Sequence, residues 1–185
     1  MSKIYFYYGV MSAGKTSLAI NKTYEFRGKG QKVYVCLPST AKKEKLESKN
    51  GSSANVDIIF DEPNLCNWNF AENSILVIDE AQFFTNEQVK TLKQLAKNLS
   101  LNVFCFGLLT DFRLNIFEGS KALLVYADSV RELPSMCDMC GKKAKYNLRT
   151  SNDENQINLD KNIYKSLCYD CFNELKAEEN KVGEK

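Results

Sequence analysis

Ile4-Tyr5-Phe6-Tyr7-Tyr8-Gly9-Val10-Met11-Ser12-Ala13-Gly14-Lys15-Thr16 decides how the rest of the chain is read. An apolar, aromatic run the length of one buried strand stops at Gly9, and a helical stretch begins after Gly14. The spacing between them is that of a phosphate-binding loop. Its glycines let backbone N–H groups turn inward around a phosphate chain, and the helix N-terminus adds favourable dipole potential. Lys15 would reach the β- and γ-phosphates, and the Thr16 hydroxyl would join an Mg²⁺ shell. A glycine-rich turn with a chance lysine would not come with strand, loop and helix in this order.

A phosphate loop calls for an acidic partner, and Ile75-Leu76-Val77-Ile78-Asp79-Glu80 has the required form. A hydrophobic strand ends in two carboxylates. Asp79 would bind Mg²⁺ directly or through water, and Glu80 would point the other way. A carboxylate beside the phosphates but not on the metal can accept a proton from an attacking hydroxyl. Histidine is absent from the chain, so a general base at neutral pH must be a carboxylate, tyrosine, lysine or thiolate.

Around these motifs, Lys32–Cys36, Val56–Phe60 and Asn102–Leu108 are further short apolar runs, typical of parallel strands covered on both faces. The intervening segments are helical. From Asn86 to Asn98 a stripe of Val89, Leu92, Leu95, Ala96 and Leu99 recurs at helical spacing, with Thr85 and Gln88 set for a capping box and Phe84 placed to pack on Val89. The first helix should close near Gly28 and Gly30. The expected fold is therefore α/β, a mostly parallel sheet of P-loop type flanked by helices. Residues 37–54 are polar, rich in Lys and Ser and without period, and are expected to form a mobile loop.

Seven cysteines in a chain without a secretory signal point to thiols or metal ligands. Cys36, Cys66 and Cys105 stand alone and read as small buried hydrophobes. Cys137-x-x-Cys140 and Cys168-x-x-Cys171 form two knuckle pairs 27 residues apart. Four thiolates suit a closed, structural Zn²⁺ site, the alternative being two redox pairs or four buried thiols. The pattern change after Leu133-Pro134 places a main unit over residues 1–133, a zinc-ribbon-like module over 134–175 and a charged flexible tail over 176–185. Phe83, Phe84, Phe112, Phe117, Tyr126 and Tyr164 lie near the motifs, where aromatic faces either stack a nucleobase or fill the core.

Composition narrows the function classes. Apolar residues make up 44% and charged residues 26%, as in ordinary globular domains. No run approaches a membrane span, no signal peptide opens the chain, and the default compartment is the cytoplasm. A net charge of +2 with scattered lysines gives no basic face for nucleic acid. That weighs against a nucleic-acid-stimulated ATPase, in which Glu80 would activate water. A non-catalytic nucleotide-binding protein is the other alternative.

Over roughly residues 3 to 172 the sequence resembles the cytosolic-type (type II) thymidine kinases. The resemblance rests on Gly9–Thr16, Asp79-Glu80-Ala81-Gln82-Phe83-Phe84, Gly107-Leu108-Leu109-Thr110-Asp111-Phe112-Arg113 and Tyr164-Lys165-Ser166-Leu167-Cys168. It implies transfer of the γ-phosphoryl of ATP to the 5′-hydroxyl of thymidine, with deoxyuridine as an alternative acceptor and Glu80 as base. It further implies ATP contacts from Gly9, Val10, Met11, Ser12, Ala13, Gly14, Lys15, Thr16, Asp79 and Gln82. A thymidine pocket would involve Met11, Phe83, Leu108, Phe112, Arg113, Phe117 and Tyr164, closed by a lasso loop held by the zinc module. Arg113 is the candidate for neutralising developing phosphate charge. Members are usually homotetramers inhibited by dTTP. Three departures stand out: the family's Asp-x-Arg element after the second strand has no match in Ser39-Thr40-Ala41-Lys42-Lys43, its lasso Gly-Gly is replaced by Leu159-Asp160, and a frequent threonine is Asn147.

Overall fold

The computed structural model describes residues 2–41, 43–61, 69–150 and 163–183. Six strands form one sheet: β1 (Lys3–Tyr8), β2 (Val33–Pro38), β5 (Ile58–Phe60), β6 (Ile75–Ile78), β7 (Asn102–Gly107) and β8 (Ser129–Glu132). Their order is β5-β2-β6-β7-β1-β8, and every neighbouring pair is parallel. Because strands alternate their side chains, Ile4 and Phe6 of β1 face one layer while Tyr5 and Tyr7 face the other. Helices α2 (Asn86–Asn98) and α3 (Glu118–Tyr126) cover the first layer through Val89, Leu92, Ala96, Ala122 and Leu123. Helix α1 (Lys15–Gly28) covers the second through Ala19 and Ile20. Covering on both faces is why these strands read as unbroken apolar runs rather than alternating ones.

The expected punctuation is present. At the start of α2 the Thr85 hydroxyl accepts from Gln88 N at 3.2 Å, and the Gln88 side chain accepts from Thr85 N at 2.9 Å. Helix α1 closes on Gly30 with φ of 75°, its N–H donating to Arg27 O.

Two elements depart from the sequence expectation. Residues 37–54 are not a structureless loop: Leu37 and Pro38 complete β2, a short 3-10 turn spans Ser39–Ala41, and β3 (Lys45–Glu47) pairs antiparallel with β4 (Ser53–Asn55). The reason is a single cross-strand pair, Leu46 with Ala54, buried in the α1 layer; one apolar residue per three-residue strand leaves no period to read. Strand β8 is the other addition. It has no apolar run, and Asp128 ties its entry to β1: Asp128 N donates to Ile4 O at 2.8 Å while its carboxylate accepts from Ile4 N at 2.7 Å.

At the C-terminal end, β9 (Tyr146–Arg149) and β10 (Tyr164–Leu167) form an antiparallel hairpin. Leu148, Leu167 and Phe172 pack there against Cys137, Cys168 and Cys171, with Phe172 on helix α4 (Tyr169–Gly183). Among the described residues no helix is long and apolar enough to cross a membrane. Leu159 and Asp160, the altered lasso positions, lie outside the described residues, as does Cys66.

Burial works against ionising Asp128, but the Lys93 ammonium at 2.7 Å and the Ile4 N–H outweigh it and hold the carboxyl below its usual range. A lowered folded-state pKa gives stability that is complete above the unfolded value and lost as pH falls through the folded one. Since the side chain is 36% exposed, solvent screening limits the effect. Asp128→Ala should cost about 1 kcal/mol near neutral pH, and its melting temperature should approach that of the unmutated chain as the pH falls through the lowered Asp128 range.

Candidate functional site

The register of the sheet brings three strand ends together. Tyr8 lies beside Gly107, and Ile78 beside Cys105, so the loops after β1, β6 and β7 leave from the same edge. That carboxyl edge is where parallel α/β sheets place their ligands. One cleft there is lined by Met11, Ser12, Gly14, Lys15, Thr16, Lys43, Asp79, Glu80, Gln82, Phe83 and Leu108 among others.

The loop after β1 takes strained geometry to reach its shape. Gly14 has φ of 80° and Ser12 φ of 59°, and α1 starts without a side-chain cap at the cleft that Gly14, Lys15 and Thr16 line. Gly9 has to be glycine for a second reason, since a Cβ there would lie 2.7 Å from Leu133 O and 2.9 Å from the Ala13 Cβ. Lys15 Nζ curls onto the loop, donating to Gly9 O at 3.0 Å and Val10 O at 2.7 Å. Lys49, from the turn between β3 and β4, reaches across to the Ser12 hydroxyl at 2.8 Å.

Asp79 is buried and accepts from Thr16 Oγ1 at 2.8 Å and from Glu80 N at 3.0 Å. Burial and the Glu80 charge push its carboxyl up to about 6. Among the described residues no ammonium or guanidinium forms an ion pair with it. A buried carboxylate beside a hydroxyl and an amide-lined phosphate loop fits a hydrated divalent cation, whose charge would reverse that upward push.

The Glu80 backbone is left-handed, with φ of 55°, which takes its side chain out of the helix-covered layer and along the cleft that Asp79 also lines. A non-glycine residue held there costs on the order of 1 kcal/mol, offset by two bonds to its carboxylate. Lys43 Nζ donates to Oε1 at 2.8 Å, and Gln82 Nε2 donates to Oε2 at 2.8 Å. Burial opposes ionisation, but the Lys43 charge and these bonds hold the carboxyl low. Gln82 also accepts from Leu108 N at 3.1 Å, so its amide braces Glu80 against the end of β7. Gly107 leaves room for that brace: a Cβ there would sit 2.8 Å from the Gln82 oxygen.

The aromatic positions divide. Phe83 lines the cleft and meets Phe117 edge-on at 5.9 Å, with Phe117 itself buried. Phe112 and Tyr164 meet elsewhere, on Arg149. The buried Arg149 guanidinium lies 3.9 Å from the Phe112 ring centre and donates to the Tyr164 hydroxyl. Arg113 is exposed, its Cζ 5.1 Å from the Phe112 ring centre and its N–H on the Asp111 carboxylate. Sequence reading missed Arg149 and Lys43. A lysine two residues after Ala41 and an arginine alternating with Asn147 along β9 were the only available signals.

The four cysteines gather as expected. Their Sγ atoms all lie within 4.8 Å of one another, with Cys140 and Cys168 at 3.5 Å. Tetrahedral zinc with Zn–S bonds of about 2.3 Å needs sulfurs about 3.8 Å apart, so the set fits a closed four-thiolate site.

A phosphate loop and an acidic strand end at one edge of a parallel sheet, with a four-thiol cluster fit for a metal ion beside a small antiparallel hairpin, define a P-loop nucleotide-binding protein. The chain belongs to the thymidine kinase family, whose model matches residues 2–172. It is 34% identical over 165 residues to the thymidine kinase of Haemophilus influenzae, covering 85% of this chain and 84% of that protein. The Zymomonas mobilis thymidine kinase is 36% identical over 166 residues, 84% of this chain and 83% of its own. That of Mesorhizobium japonicum is 32% identical over 182 residues, 91% and 89% respectively.

The small C-terminal core is too slight to hold the hairpin by burial alone, so bound metal should contribute to its folding. Purified protein should carry about one equivalent of zinc by elemental analysis. Cys168→Ser should lose it and melt at lower temperature; full zinc content in that variant would remove Cys168 from the ligand set.

Proposed function

We propose that this chain transfers the γ-phosphoryl group of ATP to the 5′-hydroxyl of thymidine, giving dTMP for DNA precursor salvage in the cytoplasm. The observation carrying the reading is Glu80 in the cleft beside the Thr16–Asp79 pair, its carboxylate held by Lys43 and Gln82 and not by that pair. The loop Gly9, Val10, Met11, Ser12, Ala13, Gly14 and Lys15 would hold the phosphates. Thr16 and Asp79 would hold Mg²⁺, which neutralises charge on the β- and γ-oxygens when bound.

Glu80 would orient the 5′-hydroxyl and take its proton as the new bond to phosphorus forms and the bond to the β–γ bridging oxygen breaks. The leaving group is ADP. Lys43 and Lys15 supply positive charge near the transferred group, the part the missing Asp-x-Arg element would otherwise play in charge balance. Catalysis of this kind is mostly positioning and electrostatics.

Leu108, Phe83 and the side chain of Met11 would line the nucleoside end of the cleft, with Phe117 behind Phe83. Phe112 and Tyr164, which meet on Arg149 outside that lining, would approach the base from beyond it, held at a fixed spacing by Arg149. Arg113 is the outer cation on that loop. Deoxyuridine, lacking only the 5-methyl group, is the expected second acceptor. The four cysteines would hold structural Zn²⁺, and the family pattern supports a homotetramer inhibited by dTTP.

Phosphate transfer from labelled ATP to a panel of nucleosides should show labelled dTMP as the main product, and transfer to none would defeat the reading. Glu80→Gln should lower kcat by about 10²- to 10⁴-fold while an unreactive ATP analogue binds within about threefold of its usual affinity. Arg149→Ala should raise the thymidine KM by about tenfold and leave the ATP KM nearly unchanged, from loss of a charged hydrogen bond and a cation–π contact.

A further inference from the structure

The loop after β1 is held from outside by the four-cysteine unit, at both ends of one residue. Met11 N donates to the Asn147 carboxamide oxygen at 2.7 Å, and Met11 O accepts from the Ser166 hydroxyl at 2.7 Å. Asn147 and Ser166 are buried and sit opposite each other across the β9–β10 hairpin, so the two bonds close on Met11 like a clamp. Ser12, the next residue, has the left-handed backbone that turns the loop inward.

The clamp is continuous with the thiol cluster. Ser166 N donates to the Asp138 carboxylate at 2.7 Å, and Asp138 N donates to Ser166 O at 2.9 Å. Asp138 lies inside the first knuckle, between Cys137 and Cys140, and Leu167 joins Ser166 directly to Cys168. Loss of the closed thiol set would release the hairpin, and with it both partners of Met11. No other element needs to move.

We propose that Asn147 and Ser166 are positioning residues through which metal occupancy of the four-cysteine unit sets nucleotide affinity at the phosphate loop. The proposal rests on the nucleotide reading given above. A side chain that binds Met11 from a distant unit makes the loop conformation conditional on that unit being folded. Linkage then requires the converse: nucleotide tightens metal binding by the same factor that metal tightens nucleotide binding.

Equilibrium binding of an unreactive ATP analogue with excess Mg²⁺, measured on zinc-loaded protein, tests the first half. Ser166→Ala and Asn147→Ala should each weaken it about three- to tenfold, the range for one hydrogen bond, and Ser166→Thr, which keeps the hydroxyl on a strand, should restore it. For the second half, the concentration of a zinc-selective chelator that removes half the metal should rise about fivefold when the analogue saturates the unmutated protein. The double variant Ser166→Ala with Asn147→Ala should lose that protection. Unchanged analogue affinity in the single variants, or equal protection in the double variant, would overturn the coupling while leaving the kinase reading intact. Failure of the unmutated, zinc-loaded protein to bind the analogue would instead defeat the nucleotide reading beneath it.

Discussion

A carboxylate at the end of a fully buried strand is the constraint around which this molecule is organised. Each residue of β6 is buried, and Asp79 follows with 1% of its surface exposed. Burying a charge without partners costs several kcal/mol, so the surroundings of Asp79 cannot be arbitrary. A hydroxyl from the first turn of α1 and the next backbone amide satisfy it in part, and the raised pKa records what remains unsatisfied. The position of the phosphate loop follows from the same sheet, because β7 lies between β6 and β1 and sets both strand ends level.

The next residue resolves a conflict. Two adjacent carboxylates on an extended strand would point to opposite faces, one of them into the layer covered by α2 and α3. The left-handed turn at Glu80 instead brings its side chain back along the cleft, where Lys43 and Gln82 meet it. Gly119 on α3 allows this turn to pack closely: a Cβ there would lie 2.6 Å from Ala81 O and 2.7 Å from Phe84 O. Local strain at one residue is thus compensated by contacts from three separate elements.

What was legible in sequence is what depends on neighbours along the chain. The runs of β1, β6 and β7, the Thr85–Gln88 box and the paired cysteines each have a local physical cause, so their pattern survives without the fold. Strand β8 does not; it is an edge strand whose pairing rests on Asp128 meeting the start of β1. The β3–β4 hairpin exists because Leu46 and Ala54 have α1 to cover them. Lys43 read as one lysine among many in a polar stretch, and Arg149 as filler between cysteines. Their partners, Glu80 and Phe112, are distant in sequence, and only the folded chain brings them into contact.

The bonds that fix Glu80 also make it a weaker base, and the two effects must be weighed. A donor on each oxygen stops the carboxylate from rotating, while a nearby ammonium lowers its affinity for a proton. Two carboxylate oxygens offer about four acceptor directions, so two donors leave room for an incoming hydroxyl. Phosphoryl transfer through a loose transition state demands little proton removal before the bond to phosphorus is well advanced. The larger share of the barrier lies in aligning oxygen, phosphorus and leaving group, where intramolecular placement can supply about 7–11 kcal/mol. A rigid, weakly basic carboxylate therefore suits this reaction better than a free and strongly basic one, and the Lys43 pair that lowers its basicity is consistent with the role given to Glu80.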